Sequence, residues 1–450
     1  MDPKPVITRI PPSPTGHLHI GTARTALFNY LFAKKNNGKM VFRSEDTDKA
    51  RSTKEFEHEI IDGLHWLGFD WDNDVIVRQS ERAPIYRTYL EKMIAAGTAY
   101  LSEEESKNNP GQMVTVVRLA NPNKVITFND LIRGDISFDT TELGDLVIAR
   151  NIDDALYHFT VVVDDFEMGV THVLRGEDHI SNTPRQILIQ EAIDAPRPIY
   201  AHLPLILATD RSKMSKRHGA VSLHEYRKAG YTKEAIINYL AMLGWNPGTD
   251  RELFTLNELA EAFEVNHIHK AGAVFDIKKF EWFNKHYLDQ LSVEAYTAYI
   301  TEDFPNQLST LPQYSNDRFA RALSTIRERV STRREFHDFT EAGEYDYFFA
   351  SPTYEAEALK WKNDNSQAAA LPRLEKALEI LLKADFSSQE SLKKDLWDYA
   401  ETVGRGELLW PLRVALSGKK QSPDPFTLAF ILQKEETILR LKIACDKIKG

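Results

Sequence analysis

The most restrictive feature of this chain lies within its first 45 residues. Val6 to Ile10 reads as a short strand and Pro12 to Gly16 as a stiff turn. From about Leu18 a helix begins, with apolar positions Ala23, Leu27, Tyr30 and Leu31 at helical spacing. It stops at Lys34-Lys35-Asn36-Asn37-Gly38, with cations in the last turn and glycine after it, and Met40 to Arg43 reads as a second strand. A strand–helix–strand order of this kind implies parallel strands whose carboxyl ends share one edge, the edge where open α/β folds bind ligands. His17 and His19 then fall at a helix N-terminus, where free N–H groups and the helix dipole favour an anion. His19 adds a donor, and Gly21 lets a flat base approach the backbone.

A second element points to the same chemistry. The run Asp210-Arg211-Ser212-Lys213-Met214-Ser215-Lys216-Arg217-His218-Gly219 follows the apolar stretch Ile199 to Leu207, which reads as a buried strand. Four cations separated by small residues, at the end of a strand, suit a loop that closes over a polyphosphate and neutralises charge on a leaving pyrophosphate.

These stretches together carry a family resemblance. His19-Ile20-Gly21-Thr22 and Lys213-Met214-Ser215-Lys216-Arg217 stand where class I aminoacyl-tRNA synthetases have their two signatures. Phe42 to Asp48, Val161 to Asp165, Gly169 to Thr183 and Trp410 to Gly418 narrow the likeness, and the chain resembles the bacterial-type glutamyl-tRNA synthetases nearly end to end. The resemblance implies an α/β fold: a Rossmann-type parallel-sheet catalytic domain (1–97 and 156–212) split by a small α+β insertion (98–155) that grips the acceptor end of tRNA. A helical connecting domain (213–309), with the basic loop at its start, and an all-α anticodon-binding region (310–450) would follow.

The implied reaction is ATP-dependent activation of L-glutamate to glutamyl-adenylate, then transfer to the terminal adenosine of tRNA(Glu). ATP and its Mg²⁺ are the expected cofactors, and the expected state is a cytoplasmic monomer. His19, Lys213 and Lys216 would be catalytic. Thr15, Gly16, Gly21, Asp178, Ser215 and Arg217 would join them around ATP. Arg9 and Arg175 fall at the carboxyl ends of two separate strands, and bidentate guanidinium contact suits a carboxylate. The resemblance assigns them, with Tyr157, to the two carboxylates of glutamate, adds Ser13, and puts Glu45 on the ammonium. Asp48 is read instead as charge at the start of the next helix, for which Ser52-Thr53-Lys54-Glu55 offers a capping box.

Composition is compatible with this reading. A chain of 450 residues with 42% hydrophobic residues supports about three domains. Its one cysteine, Cys445, leaves no disulfide framework, and the insertion has none of the thiolates with which some family members bind zinc, so no zinc is expected. Neither a signal peptide nor a membrane-spanning apolar run is evident. The net charge of −10 is no obstacle to RNA binding, which depends on local patches.

Further along, Val114 to Leu119, Lys124 to Phe128, Asp135 to Asp139 and Leu146 to Arg150 read as an antiparallel insertion, and Tyr157 to Val163 as a returning strand. Thr183-Pro184, Ser222, Thr232 and Thr255 read as helix starts, and Ile236, Tyr239, Leu240 and Leu243 as a core stripe. His267 and His269 form a poor metal pair. Six arginines between Arg318 and Arg334 form a positive patch, with Arg329 and Arg333 one turn apart on a single helix. The resemblance makes Arg329, or else Arg327, an anticodon contact. Three alternatives stay open: a glutaminyl-tRNA synthetase, a tRNA-modifying glutamyl transferase of the same superfamily, and an inactive tRNA-binding relative.

Overall fold

Strand β1 (Ile7–Ile10), helix α1 (Ile20–Lys35) and strand β2 (Lys39–Ser44) form the expected unit, with β1 and β2 parallel and Ile7 opposite Lys39. In this computed structural model, which describes residues 5–106, 109–215, 217, 219 and 221–450, the chain divides into two units, 1–284 and 285–450. Helix α2 (Lys54–Trp66) leads to β3 (Val77–Arg78), parallel to β2. The cap of α2 is Thr53, whose side chain accepts the Phe56 N–H, one residue later than the predicted box. Helix α3 (Ala83–Ala95) follows, and Gly97 behind it takes φ +74°, a left-handed turn that ends the helix cheaply only at glycine.

The next segment is divided between two sheets. Strands β4 (Ala99–Glu105), β5 (Met113–Leu119), β6 (Val125–Asp130), β7 (Gly134–Asp139), β8 (Leu146–Asn151) and β9 (Asp154–Ala155) come in order. Strands β4, β5, β8 and β9 make a small antiparallel sheet, while the β6–β7 hairpin extends a different one. That second sheet runs β10-β11-β6-β7, with β10 (His172–Gly176) parallel to β11 (Ile199–Leu203) and β6 joined to β11 at Asp130 and Tyr200. The alternation along β6 buries Ile126, Phe128 and Asp130, so this hairpin has a face to cover and finds it against the parallel strands. Strands β1 and β10 lie side by side, with the Thr171 N–H donating to the Ile7 carbonyl at 2.9 Å.

The expected strand at Tyr157 to Val163 is instead helix α4 (Tyr157–Glu167). Phe159 to Asp165 are all buried, and a short apolar run buried all round has no periodicity that separates a strand from a helix. Helix α5 (Thr183–Ala192) starts at its predicted proline, and the apolar run after it breaks at Pro204 between β11 and β12 (Ile206–Leu207). Helices α6 (Leu223–Lys228), α7 (Lys233–Met242) and α8 (Leu256–Ala262) start at Ser222, Thr232 and Thr255, the first and third with complete capping boxes. The stripe Ile236, Tyr239, Leu240 and Leu243 is buried. Strand β13 (Ala273–Val274) pairs parallel with β12, and helix α9 (Ile277–Asp289) carries the chain into the second unit.

That unit contains helices and no strand, around an aromatic core that includes Phe319, Phe336, Tyr345, Phe348 and Phe349. The arginine-rich segment is two helices, Asn316–Arg329 and Arg333–Glu341, so Arg329 and Arg333 do not share one. Val330 inserts into the core in an extended conformation, and Thr332 starts the new helix by accepting the Glu335 N–H. The Thr332-x-x-Glu335 spacing is itself a helix-start signal.

Candidate active site

A cavity of about 570 Å³ opens at the carboxyl ends of β1, β2 and β10. His19 caps α1 with extended backbone, and its Nδ1 accepts the Gly21 N–H at 3.0 Å. That bond leaves the proton of a neutral ring on Nε2. A Cβ at position 21 would sit 3.2 Å from His19 Nδ1, so glycine there preserves the ring's position. The segment that follows the second signature pairs with the first through backbone bonds: the Ile20 N–H donates to the Val221 carbonyl, and the Leu223 N–H to the Leu18 carbonyl. On the other side of the loop, Met214 N–H donates to the Ile206 carbonyl, folding the loop back along β12. Lys213 is thereby directed at Asp178, with Nζ and Oδ2 2.8 Å apart. Burial is the largest effect on the Asp178 pKa and raises it, but Lys213, His179 and a backbone N–H together outweigh it and the net shift is downward.

The opposite end of the cavity is built on buried arginines. Arg9 donates to the Leu174 carbonyl at 3.2 Å and lies 3.5 Å from Asp165. Arg43, fully buried, bonds Asp165 at 2.8 Å and Glu45 at 2.9 Å. Burial alone would lower its pKa, but Asp165, Glu45 and Asp164 outweigh that and keep it charged. Burial is also the largest effect on Glu45 and raises its pKa, with Arg43 opposing. Arg175 differs from both. Only 6% exposed, it donates from Nε to His202 Nε2 (3.3 Å), from Nη1 to Gln186 Oε1 (2.7 Å) and from Nη2 to Thr183 Oγ1 (2.8 Å), all neutral partners. Tyr157 stands at the edge, 36% exposed, its pKa pushed up to about 12 chiefly by desolvation, so its hydroxyl stays protonated.

Arg9, Ser13, Glu45, Tyr157 and Arg175 all line this cavity, together with His19, Gly21, Asp178 and Lys213. Thr15, Gly16, Ser215 and Arg217 do not, although Arg217 reaches back to Ser212 at 3.2 Å. Lys216 lies outside the described residues. The family description "tRNA synthetases class I (E and Q), catalytic domain" matches residues 5–108 and 101–282, and "Anticodon binding domain" matches 288–445. The chain belongs to the class I tRNA synthetases (E and Q).

Similar relatives of this synthetase include glutamate–tRNA ligase 1 of Syntrophomonas wolfei, 38% identical over 98% of this chain and 96% of its own. Another is glutamate–tRNA ligase of Thermodesulfovibrio yellowstonii, 38% identical over 98% and 99%. Among solved structures, a glutamate–tRNA ligase from Elizabethkingia meningosepticum in complex with its amino acid matches with a TM-score of 0.84. It is 31% identical and covers 98% of this chain and 99% of that one.

The cavity wall also contains Arg24 and His179, which no motif or spacing marks out. Arg24, on α1, is buried against the carbonyls of Pro204 and Leu243, and burial lowers its pKa to about 10. His179 is held near pKa 4 by burial and by Arg175, and its Nδ1 faces the Asn182 amide at 3.1 Å and the Tyr157 hydroxyl at 3.4 Å. Asp164 and Asp165 did carry a signal: two carboxylates that follow a run of three valines into a buried segment require cations there. Asp164 accepts from Gln79, Arg82 and Tyr86, and so ties α4 to the segment after β3. Asp48 pairs with Arg51 in the exposed turn before α2, away from the cavity.

In the second unit the arginines separate by role. Arg327 donates to the Leu291 carbonyl at 2.9 Å and to the Leu288 carbonyl, near the end of α9, and its guanidinium lies 4.6 Å from the Tyr296 ring centre. Arg321 donates to the Ile431 carbonyl, beside a helix break at Gln433 (φ +63°). Arg318 reaches Gln313 and the Phe348 carbonyl. Arg329 is 37% exposed, with Glu344 at 3.7 Å, and borders a polar cavity of about 400 Å³ with Ser324, Thr325, Ser422 and Asp424.

Proposed function

We propose that this synthetase is a glutamate–tRNA ligase, coupling ATP to the attachment of L-glutamate to tRNA(Glu). The observation that carries the reading is Arg175: a buried guanidinium with neutral partners, open to the same cavity as Arg9, Glu45 and the His19 helix N-terminus. A buried cation of this kind needs an anion, and its fork geometry fits a carboxylate. Arg9, Arg175, Tyr157 and Ser13 would then hold the carboxylates of glutamate, and Glu45 its ammonium. Glutamine, lacking one negative charge, would leave a guanidinium uncompensated.

In the first step a carboxylate oxygen of glutamate attacks the α-phosphorus of ATP, forming the acyl–phosphate bond of glutamyl-adenylate and releasing pyrophosphate. A hydroxyl of the terminal adenosine of tRNA then attacks the acyl carbon, and AMP leaves. Neither step needs a protein nucleophile; positioning and charge stabilisation suffice. His19, with its ring proton on Nε2, and the α1 N-terminus face the phosphates, with Gly21 keeping the approach open. Lys213, Lys216, Ser215 and Arg217 would close over the leaving pyrophosphate, with Asp178 nearby. Mg²⁺ arriving with ATP would supply charge neutralisation at the phosphates; among the described residues no group of three or more His, Cys, Asp or Glu could hold a metal ion. Arg329, beside an open polar cavity, is the better anticodon contact, since the Arg327 guanidinium is committed to backbone carbonyls. The proposed ligase would act in the cytoplasm, and no helix among the described residues is long and apolar enough to cross a membrane.

ATP–pyrophosphate exchange with glutamate or glutamine, with and without tRNA, tests the reading. Glutamate should support exchange in the presence of tRNA and glutamine should not, and Lys216→Ala should lower the rate by about 10²-fold or more. Exchange driven equally by glutamine would refute the substrate assignment.

A further inference from the structure

Behind Arg175 lies a buried chain of polar groups that does not itself line the cavity. Asp130, at the end of β6, is 1% exposed, and its Oδ1 accepts the backbone N–H groups of Ile132 (3.0 Å) and Arg133 (2.9 Å). Its Oδ2 faces the N–H (3.0 Å) and Nδ1 (2.6 Å) of His202, whose side chain is fully buried on β11. A carboxylate accepting from so many donors stays ionised, and it holds the imidazole proton on Nδ1. Nε2 is then left as an acceptor. It takes the Arg175 Nε–H at 3.3 Å and lies 3.0 Å from Thr183 Oγ1, the hydroxyl that also receives Arg175 Nη2. The titratable and charged groups around the imidazole are Asp130, Arg175, Arg133 and Tyr200, whose ring stacks on it at 6.0 Å. A proton on Nε2 would set two donors against each other, so only the neutral, Nδ1-protonated ring supports Arg175.

We propose that His202, fixed in this tautomer by Asp130, is a positioning residue that aims the Arg175 guanidinium at a substrate carboxylate. This rests on the assignment of Arg175 given above. It also links the inserted β6–β7 hairpin, which supplies Asp130, to amino-acid selection. The hairpin's place in the parallel sheet brings Asp130 beside His202, 72 residues further on.

Aminoacylation kinetics of the full chain with a tRNA(Glu) transcript test this through three variants. His202→Gln can present an amide oxygen where Nε2 lies and should stay within about threefold of the parent glutamate KM. His202→Asn keeps a donor for Asp130 but loses the acceptor for Arg175. Asp130→Asn can donate to Nδ1 and so favours the wrong tautomer. Each of the latter two should raise the glutamate KM by about tenfold or more, the scale of one lost hydrogen bond to a charged group. The ATP KM should stay within about twofold, and the preference for glutamate over glutamine should narrow. A merely structural histidine would shift both KM values alike. That result, or an unchanged glutamate KM in both His202→Asn and Asp130→Asn, or a His202→Gln as impaired as His202→Asn, overturns the proposal. Arg175→Ala separates the two levels: if it leaves the glutamate KM at the parent value, the assignment of Arg175 fails, whereas a raised KM there with normal His202→Asn kinetics removes only the positioning role.

Discussion

Arg175 in the first unit and Arg327 in the second make opposite use of one side chain. In the first unit, Arg175 is surrounded by neutral acceptors and keeps its charge available to a cavity, while Arg43 balances it by gathering the acidic side chains Asp165 and Glu45. In the second, the partly buried Arg321 and Arg327 spend donors on carbonyls beside helix ends and a helix break, while the buried Arg440 combines both uses, donating to the Tyr347, Leu416 and Ala350 carbonyls and from Nε to Glu436 at 2.6 Å. A high density of arginine along a sequence therefore says little about ligand binding. What matters is whether the guanidinium's partners are backbone carbonyls, carboxylates or neutral side chains facing open space.

The largest expected effect comes from breaking the charge balance in the first unit. Arg43→Met strands Asp165 and Glu45 in a dry site and should lower stability by about 3–5 kcal/mol, read from urea unfolding. A loss below about 1 kcal/mol would mean that these carboxylates find other cations. In the second unit, Arg327→Ala should cost about 1–3 kcal/mol by leaving the Leu288 and Leu291 carbonyls unpaired, with anticodon preference unchanged. Arg329→Gln should do the reverse: nearly normal stability, and discrimination at one anticodon position relaxed by about 1–3 kcal/mol on a panel of mutated transcripts. Identical behaviour of the two variants would erase the distinction between them.

Glu45 sharpens the comparison through pH. Its folded-state pKa is raised, mainly by burial, so its carboxylate is lost earlier on acidification than that of an ordinary glutamate. If the anionic form holds the substrate ammonium, the glutamate KM rises as pH falls through that raised pKa, and Glu45→Gln raises KM at neutral pH while flattening the acid limb. An acid limb unchanged in Glu45→Gln assigns it to another group. The smallest effect belongs to Arg334, 74% exposed with Asp338 at 3.9 Å. Arg334→Ala should move stability by no more than about 0.5 kcal/mol and lower tRNA affinity slightly and without regard to sequence.

Local signals were read well where one turn of helix or one strand contains them. The helix start near His19, the capping boxes at Ser222 and Thr255, and the Thr183-Pro184 start of α5 are all of this kind. The strand expected at Tyr157 to Val163 is a helix because burial on every side removes the periodicity that distinguishes helix from strand. The single helix expected through Arg329 and Arg333 is two, because Val330 is extended and buried and Thr332-x-x-Glu335 starts a new helix. Arg9, Glu45 and Arg175 could be placed at one sheet edge from strand order. The Asp130–His202 support could not, since it depends on a hairpin from the inserted segment joining the parallel sheet, a long-range pairing that no local pattern announces.

The discrimination between glutamate and glutamine by Arg175→Ala tests the central claim most directly. With kcat/KM measured for both amino acids in tRNA charging, the variant should lose about 10²-fold or more with glutamate, because the substrate carboxylate loses two charge-assisted bonds, and glutamine should lose far less. A glutamate-to-glutamine ratio equal to that of the parent enzyme, with the variant folded, would contradict the account.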